Sequence, residues 1–207
     1  MQVKGADMAR LSVDELILDP PAYGQVRAER RAEAMAWRQA RRVRLGDLVL
    51  LEFESAETLA YQAQEMLYVE RVTDPDLAAA EIAVYERLLP QPRLATATMM
   101  LELADDTQVR AELGRLDGLH NAVRLEVGGT RVPARDIPPP DEGPAGHTVT
   151  VHFLGFDLPA DAGELFGEAD AARLVLDHPA YQADAVLGAD LLRLLAHDCT
   201  AAALGAG

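Results

Sequence analysis

Residues 122 to 135, AVRLEVGGTRVPAR, constrain the fold more than any other stretch. Apolar and polar residues alternate on both sides of Gly128-Gly129. A two-glycine loop between alternating runs specifies a tight β-hairpin, because the turns that match strand twist need positive φ at their central positions. The chain must therefore build a sheet with antiparallel neighbours. RVRLGDLVLLEFES predicts a second hairpin, turning at Gly46-Asp47, with its second strand over 48–53. Further strands are predicted over 93–103, 148–157 and 172–177.

Helical patterning fills the rest. SVDEL at 12–16 carries a capping box led by Ser12, and Pro20-Pro21 stop the short helix it starts. A long surface helix is predicted over 22–42, rich in Ala, Arg and Glu and anchored by Trp37. Helices follow over 56–72 and 76–88, separated by Thr73-Asp74-Pro75, where Asp74 or Thr73 caps and Pro75 takes the first turn. Others are predicted over 107–118, 161–168 and 188–197. Strands outnumber a strict β-α-β rhythm, so the expected class is α+β: a single domain with a mixed or mostly antiparallel sheet and packed helices. The domain is expected over 12–198, between a flexible N-terminus at 1–11 and a disordered tail at 199–207. DIPPPDEGPAGH, 136–147, is read as a loop within it, because the 60 residues that follow would make a marginal core alone.

Charge limits the partners. With 34 Asp and Glu against 19 Lys and Arg, the net charge of −15 opposes a phosphate-binding surface, so nucleic acid is not an expected partner. The imbalance is uneven. Residues 1–46 carry nine basic and six acidic groups, or +3, leaving ten and twenty-eight, or −18, for the remainder. No run reaches the roughly 20 apolar residues of a membrane helix, and no secretory signal is apparent, so a cytoplasmic protein is expected, with homo-oligomerisation open. Cys199 is the only cysteine, which excludes an internal disulfide and a thiolate cluster within the chain.

The chemistry-bearing residues are scattered. YQAQEM at 61–66 places Tyr61, Glu65 and Tyr68 on one helical stripe, flanked by Gln62 and Gln64. If that stripe is solvated, Glu65 is a surface acid; if it is covered, the carboxylate needs a donor or a metal. His152 lies on a predicted strand in VHFLGF, sharing a face with Leu154 and Phe156, and Pro179 holds His178 extended at a strand end. Glu65, His152 and His178 together have the ligand types of a two-histidine, one-carboxylate site for iron, manganese or zinc. His147 and His152, five apart on a strand, point to opposite faces. The arginines at 38, 41, 42 and 44 favour the negative C-terminal end of the long helix, or form a docking patch for an acidic partner. No H-E-x-x-H, G-x-x-x-x-G-K, G-x-S-x-G or C-x-x-C motif occurs.

The succession RRVRLGDLVLLEFES, YQAQEMLYVERV, VRLEVGG, VHFLGFDL and DHPAY resembles the bacterial domain-of-unknown-function family 3501, from about Leu11 to His197. The resemblance carries over Gln62, Gln64, Glu65 and Met66, then His152, then Asp177, His178 and Tyr181. Gly155, where a basic residue often stands, and the extended Pro-rich loop before His147 depart from the pattern. Members tend to be encoded beside rubrerythrin-like proteins and iron–sulfur oxidoreductases. The resemblance thus implies an accessory protein of an iron-dependent redox or oxidative-stress system, binding a rubrerythrin-like or iron–sulfur partner. Gln62, Gln64, Glu65, Arg38, Arg41 and Arg42 are the expected contact residues. The alternatives are the metal site of Glu65, His152 and His178, or a small-molecule enzyme with Glu65 as general base and Tyr61 or Tyr181 as proton donor.

Overall fold

The computed structural model describes residues 11–103, 109–137, 150–159, 162–167 and 172–204. Eight strands are found among them: β1 (Arg42–Leu45), β2 (Val49–Phe53), β3 (Leu94–Leu101), β4 (Val123–Val127), β5 (Thr130–Asp136), β6 (Val151–Asp157), β7 (Ala172–His178) and β8 (Tyr181–Leu187). Their order in the sheet is β1-β2-β3-β6-β5-β4-β7-β8, and every pairing is antiparallel. The predicted glycine hairpin forms as β4–β5, with φ of 55° at Gly128 and 78° at Gly129, the conformation that makes glycine necessary there.

The expectation of a plain α+β layer fold is corrected by the course of this sheet. It curls into a nearly closed barrel, and its end strands β1 and β8 come together. The Tyr181 hydroxyl spans the gap, donating to the Leu45 carbonyl at 2.7 Å and accepting from the Leu48 amide at 3.1 Å. It lies against Gly46, where φ is +62° and a Cβ would collide with the Tyr181 hydroxyl, so any other residue here would be strained and would displace Tyr181 from the gap. Closure follows from strong twist in an uninterrupted antiparallel order, and it removes most of the exposed edge. Side chains from all eight strands fill one interior, including Leu51, Phe53, Met99, Leu125, Leu154, Phe156 and Leu174.

Helices cover the outside. They are α1 (Pro20–Ala40), α2 (Ala56–Glu70), α3 (Pro75–Glu86), α4 (Val109–Arg115), α5 (Ala162–Gly167) and α6 (Ala189–Leu204). Pro20 and Pro21 open α1 behind an Asp19 cap, whereas the sequence reading has them end the preceding segment; that segment is only a 3-10 turn at Val13–Glu15. Ser55 and Thr58 form a reciprocal capping box on α2, and Asp74 caps α3 ahead of Pro75. Outside the barrel wall, Leu59 of α2 packs with Leu88, Leu89, Ile137 and Phe153. The amphipathic α6 sends Leu191, Leu192, Leu195 and Cys199 into the main core and runs past the expected end at 197. Most of the loop expected at 136–147, with His147, and positions 205–207 of the expected tail lie outside the described residues. No helix among the described residues is long and apolar enough to cross a membrane.

Candidate functional site

The polar block 61–66 lies on α2 where that helix meets α1. Glu65 accepts from the Tyr23 hydroxyl at 2.8 Å and from Arg27 through Nε at 3.0 Å and Nη2 at 2.8 Å. Tyr68 completes the cluster, edge-on to Tyr23 with ring centres 5.3 Å apart and beneath the Arg27 guanidinium at 4.7 Å. Hydrogen bonding from Arg27 holds the Glu65 carboxyl below the ordinary carboxylate range, with Tyr23 adding to it despite partial burial. Burial, then the bond to Glu65, pushes the Tyr23 phenol up. A general base working near neutral pH needs a raised carboxyl, and Glu65 has moved the other way.

The neighbouring glutamines are engaged as well. Gln64 grips the backbone of Ile17 with both ends of its amide, accepting at 2.8 Å and donating at 3.0 Å, which fastens the segment before α1 to α2. Gln62 donates to Glu54 at 3.2 Å. Glu54 is buried and also accepts from the hydroxyls of Thr58 and Thr98, each at 2.5 Å, with no cation paired to it among the described residues. Burial pushes its carboxyl up, partly opposed by those hydroxyl donors.

The arginines expected to form a docking patch are turned toward the chain's own acids. Arg38 and Arg42 share the buried Glu52, at 2.5 and 2.8 Å. Arg41, itself buried, makes a two-pronged pair with buried Asp198 of α6, both bonds 2.9 Å long. The Tyr181 hydroxyl is committed to barrel closure, as described. His178, at the end of β7, has its Nε2 3.0 Å from the Asp117 carbonyl and accepts from the Ala180 amide at 3.2 Å.

Glu65, His152 and His178 thus occupy three environments, and the structure does not bring them to one centre. His152 instead meets two residues that the sequence reading passed over. It projects from β6 toward the interior, on the face of Leu154 and Phe156 as the alternation predicts. His120, on a 3-10 turn at Leu119–Ala122, stacks on it with ring centres 4.3 Å apart and planes inclined by 15°. Asp136, the last residue of β5, pairs in register with Leu154 and so reaches the face of His152 diagonally. One ligand atom from each of His120, Asp136 and His152 lies within 4.8 Å of the others. Both histidines are buried, Asp136 is half-buried, and His120 Nδ1 has no hydrogen-bond partner among the described residues.

Two neutral imidazoles and one carboxylate are a donor set for iron(II), manganese(II) or zinc(II), with positions left for water or another ligand. Metal–nitrogen bonds of about 2.0–2.1 Å set ligand atoms roughly 3 Å apart, so the stacked imidazoles would have to turn toward each other and the cluster contract to close on an ion. No spacing signature joins positions 120, 136 and 152; their meeting depends on the β5–β6 register and the turn before β4.

A comparison with curated proteins returns no significant match. The crystal structure of a novel protein of unknown function from Burkholderia pseudomallei superposes with a TM-score of 0.81 at 34% identity, covering 89% of this chain and 96% of that one. A family model described as a protein of unknown function, DUF3501, matches residues 10–199. The chain belongs to the DUF3501 family.

Proposed function

We propose that this protein binds a divalent transition-metal ion through His120, Asp136 and His152. The observation that carries the reading is the convergence of these three ligand types within 4.8 Å, at the edge of an otherwise apolar interior. Polar groups in such a place need partners, and His120 Nδ1 has none among the described residues. A bound ion would supply one and would join β5, β6 and the turn before β4. The arrangement retains the two-histidine, one-carboxylate chemistry considered from the sequence but draws two of its three ligands from other positions. Iron in the site would suit the redox setting that the family resemblance implies. Partner docking through Arg38, Arg41, Arg42, Gln62, Gln64 or Glu65 has less support, because those groups are engaged within the chain.

The test is elemental analysis of protein purified without chelator or metal-affinity resin, and again after anaerobic reconstitution with iron(II), manganese(II) or zinc(II). Near-stoichiometric metal that His120→Ala and Asp136→Asn both lose while staying folded supports the site. Folded wild-type protein that takes up none of the three, or variants that retain wild-type content, would sink it.

A further inference from the structure

A second concave region lies away from the histidines, between α1, α2 and the N-terminal 3-10 turn. It encloses roughly 240 Å³ and is lined by Tyr23, Arg30 and Trp37 of α1, Glu57 and Tyr61 of α2, and Glu15 of the turn. Residues 23, 30 and 37 recur every seventh position, and 57 and 61 are four apart, so each helix presents one face to the cleft. This volume lies below the roughly 300 to 1,000 Å³ of sites for drug-sized ligands, which fits a smaller molecule.

The lining has features of a site for positive charge. Trp37 and Tyr61 are both half-buried, and neither the Trp37 indole N–H nor the Tyr61 hydroxyl has a hydrogen-bond partner among the described residues. Glu57 is half-buried too, and among the described residues no hydrogen bond or ion pair reaches its carboxylate. The first turn of α2 gives that charge some favourable dipole but no counter-ion. The contrast with Glu52, Glu54 and Glu65 is direct, since each of those acids has side-chain donors. Arg30 brings the one positive lining charge, and it already faces Glu33 at 3.8 Å. Just beyond the lining, Arg31, Arg27 and Arg38 also act on Tyr61, but Arg27 is paired with Glu65 and Arg38 with Glu52. Two carboxylates and three aromatic rings therefore face Arg30 and the more distant Arg31.

We infer that this cleft binds a small organic cation, an amine or quaternary ammonium compound, with its charge against Glu57 and the faces of Trp37 and Tyr61. Aromatic faces attract such cations through their quadrupoles, and a partly desolvated carboxylate strengthens the hold. The inference is independent of the metal site and shares no residue with it.

Trp37 is the only tryptophan in the chain, so its emission reports on the cleft directly. The full-length protein is titrated with choline chloride, with sodium chloride and sodium acetate as ionic-strength-matched controls. A saturable change in Trp37 emission with choline alone is expected. Glu57→Gln and Tyr61→Leu should each weaken it by roughly tenfold, and Tyr61→Phe should largely preserve it because the ring face remains. No saturable response into the tens of millimolar, an equal response to acetate, or an unchanged affinity in Glu57→Gln would overturn the proposal.

Discussion

The α1–α2 interface and the histidine cluster are both polar regions set against apolar packing, and they differ in what completes them. At the interface Glu65 finds Tyr23 and Arg27 and Gln64 finds the Ile17 backbone, and on the barrel side of α2 Glu54 finds two threonines and Gln62. At the cluster two imidazoles stack on each other beside a carboxylate, and His120 Nδ1 meets no donor or acceptor among the described residues. Acids and amides satisfied within the chain are architecture, whereas converging ligand atoms, with His120 Nδ1 left unpartnered among the described residues, point to an occupant from outside. An unusual concentration of polar residues in the sequence is therefore a poorer guide to function than an incomplete set of hydrogen bonds in the fold.

The comparison can be broken most strongly at the buried Arg41–Asp198 pair, which ties the end of α1 to α6. Asp198→Asn leaves a buried guanidinium without its counter-charge and should cost about 3 to 5 kcal/mol in chemical denaturation. A loss below about 1 kcal/mol would mean that water reaches the pair and that it is a surface contact. Next in size is the response to metal. Iron(II), manganese(II) or zinc(II) at a hundred times its dissociation constant should stabilise the wild type by about 2.7 kcal/mol, measured as a shifted denaturation midpoint. His120→Ala should abolish that shift and Glu65→Gln should leave it intact, which separates the two regions.

Tyr23→Phe removes one partly buried hydrogen bond to the Glu65 carboxylate while keeping the ring against Tyr68, and should cost about 1 to 2 kcal/mol. The smallest effect is a change of slope with pH. Burial raises the Glu54 carboxyl in the fold above its ordinary value of 4.5, so the folded state holds this proton more tightly than the unfolded chain. The stability from that proton is present below the unfolded value and is lost as pH rises through the raised folded value. Glu54→Gln should therefore gain on the wild type as pH increases across that window, and parallel stability curves for the two proteins would count against it.

Much of the local structure was legible beforehand. The Gly128-Gly129 hairpin, the Pro75 helix start and the face on which His152 lies follow from turn chemistry, capping and strand alternation, all of which act within a few residues. Strand β8 was not legible. Its sequence, YQADAVL, mixes strand-favouring Tyr181 and Val186 with Ala183, Asp184 and Ala185, which do not favour strands, and its extension is secured by seven register pairs with β7. The ligand trio was missed for a related reason. His120 sits on a brief 3-10 turn and Asp136 ends a strand beside a Pro-rich segment, so neither carries a periodic signal. YQAQEM stood out by composition, yet its Gln62, Gln64 and Glu65 serve contacts within the chain.

By itself the sequence determined most of the turns and most of the helical and extended segments, strand β8 excepted, and that positions 10–199 carry the pattern of the DUF3501 family. Only the tertiary structure decided that eight antiparallel strands close almost into a barrel, that Glu65 is locked by Tyr23 and Arg27, and that His152 meets His120 and Asp136. The physical reason is range. Turn geometry and side-chain periodicity are written in neighbouring residues, whereas barrel closure and polar convergence depend on the register between strands distant in the chain.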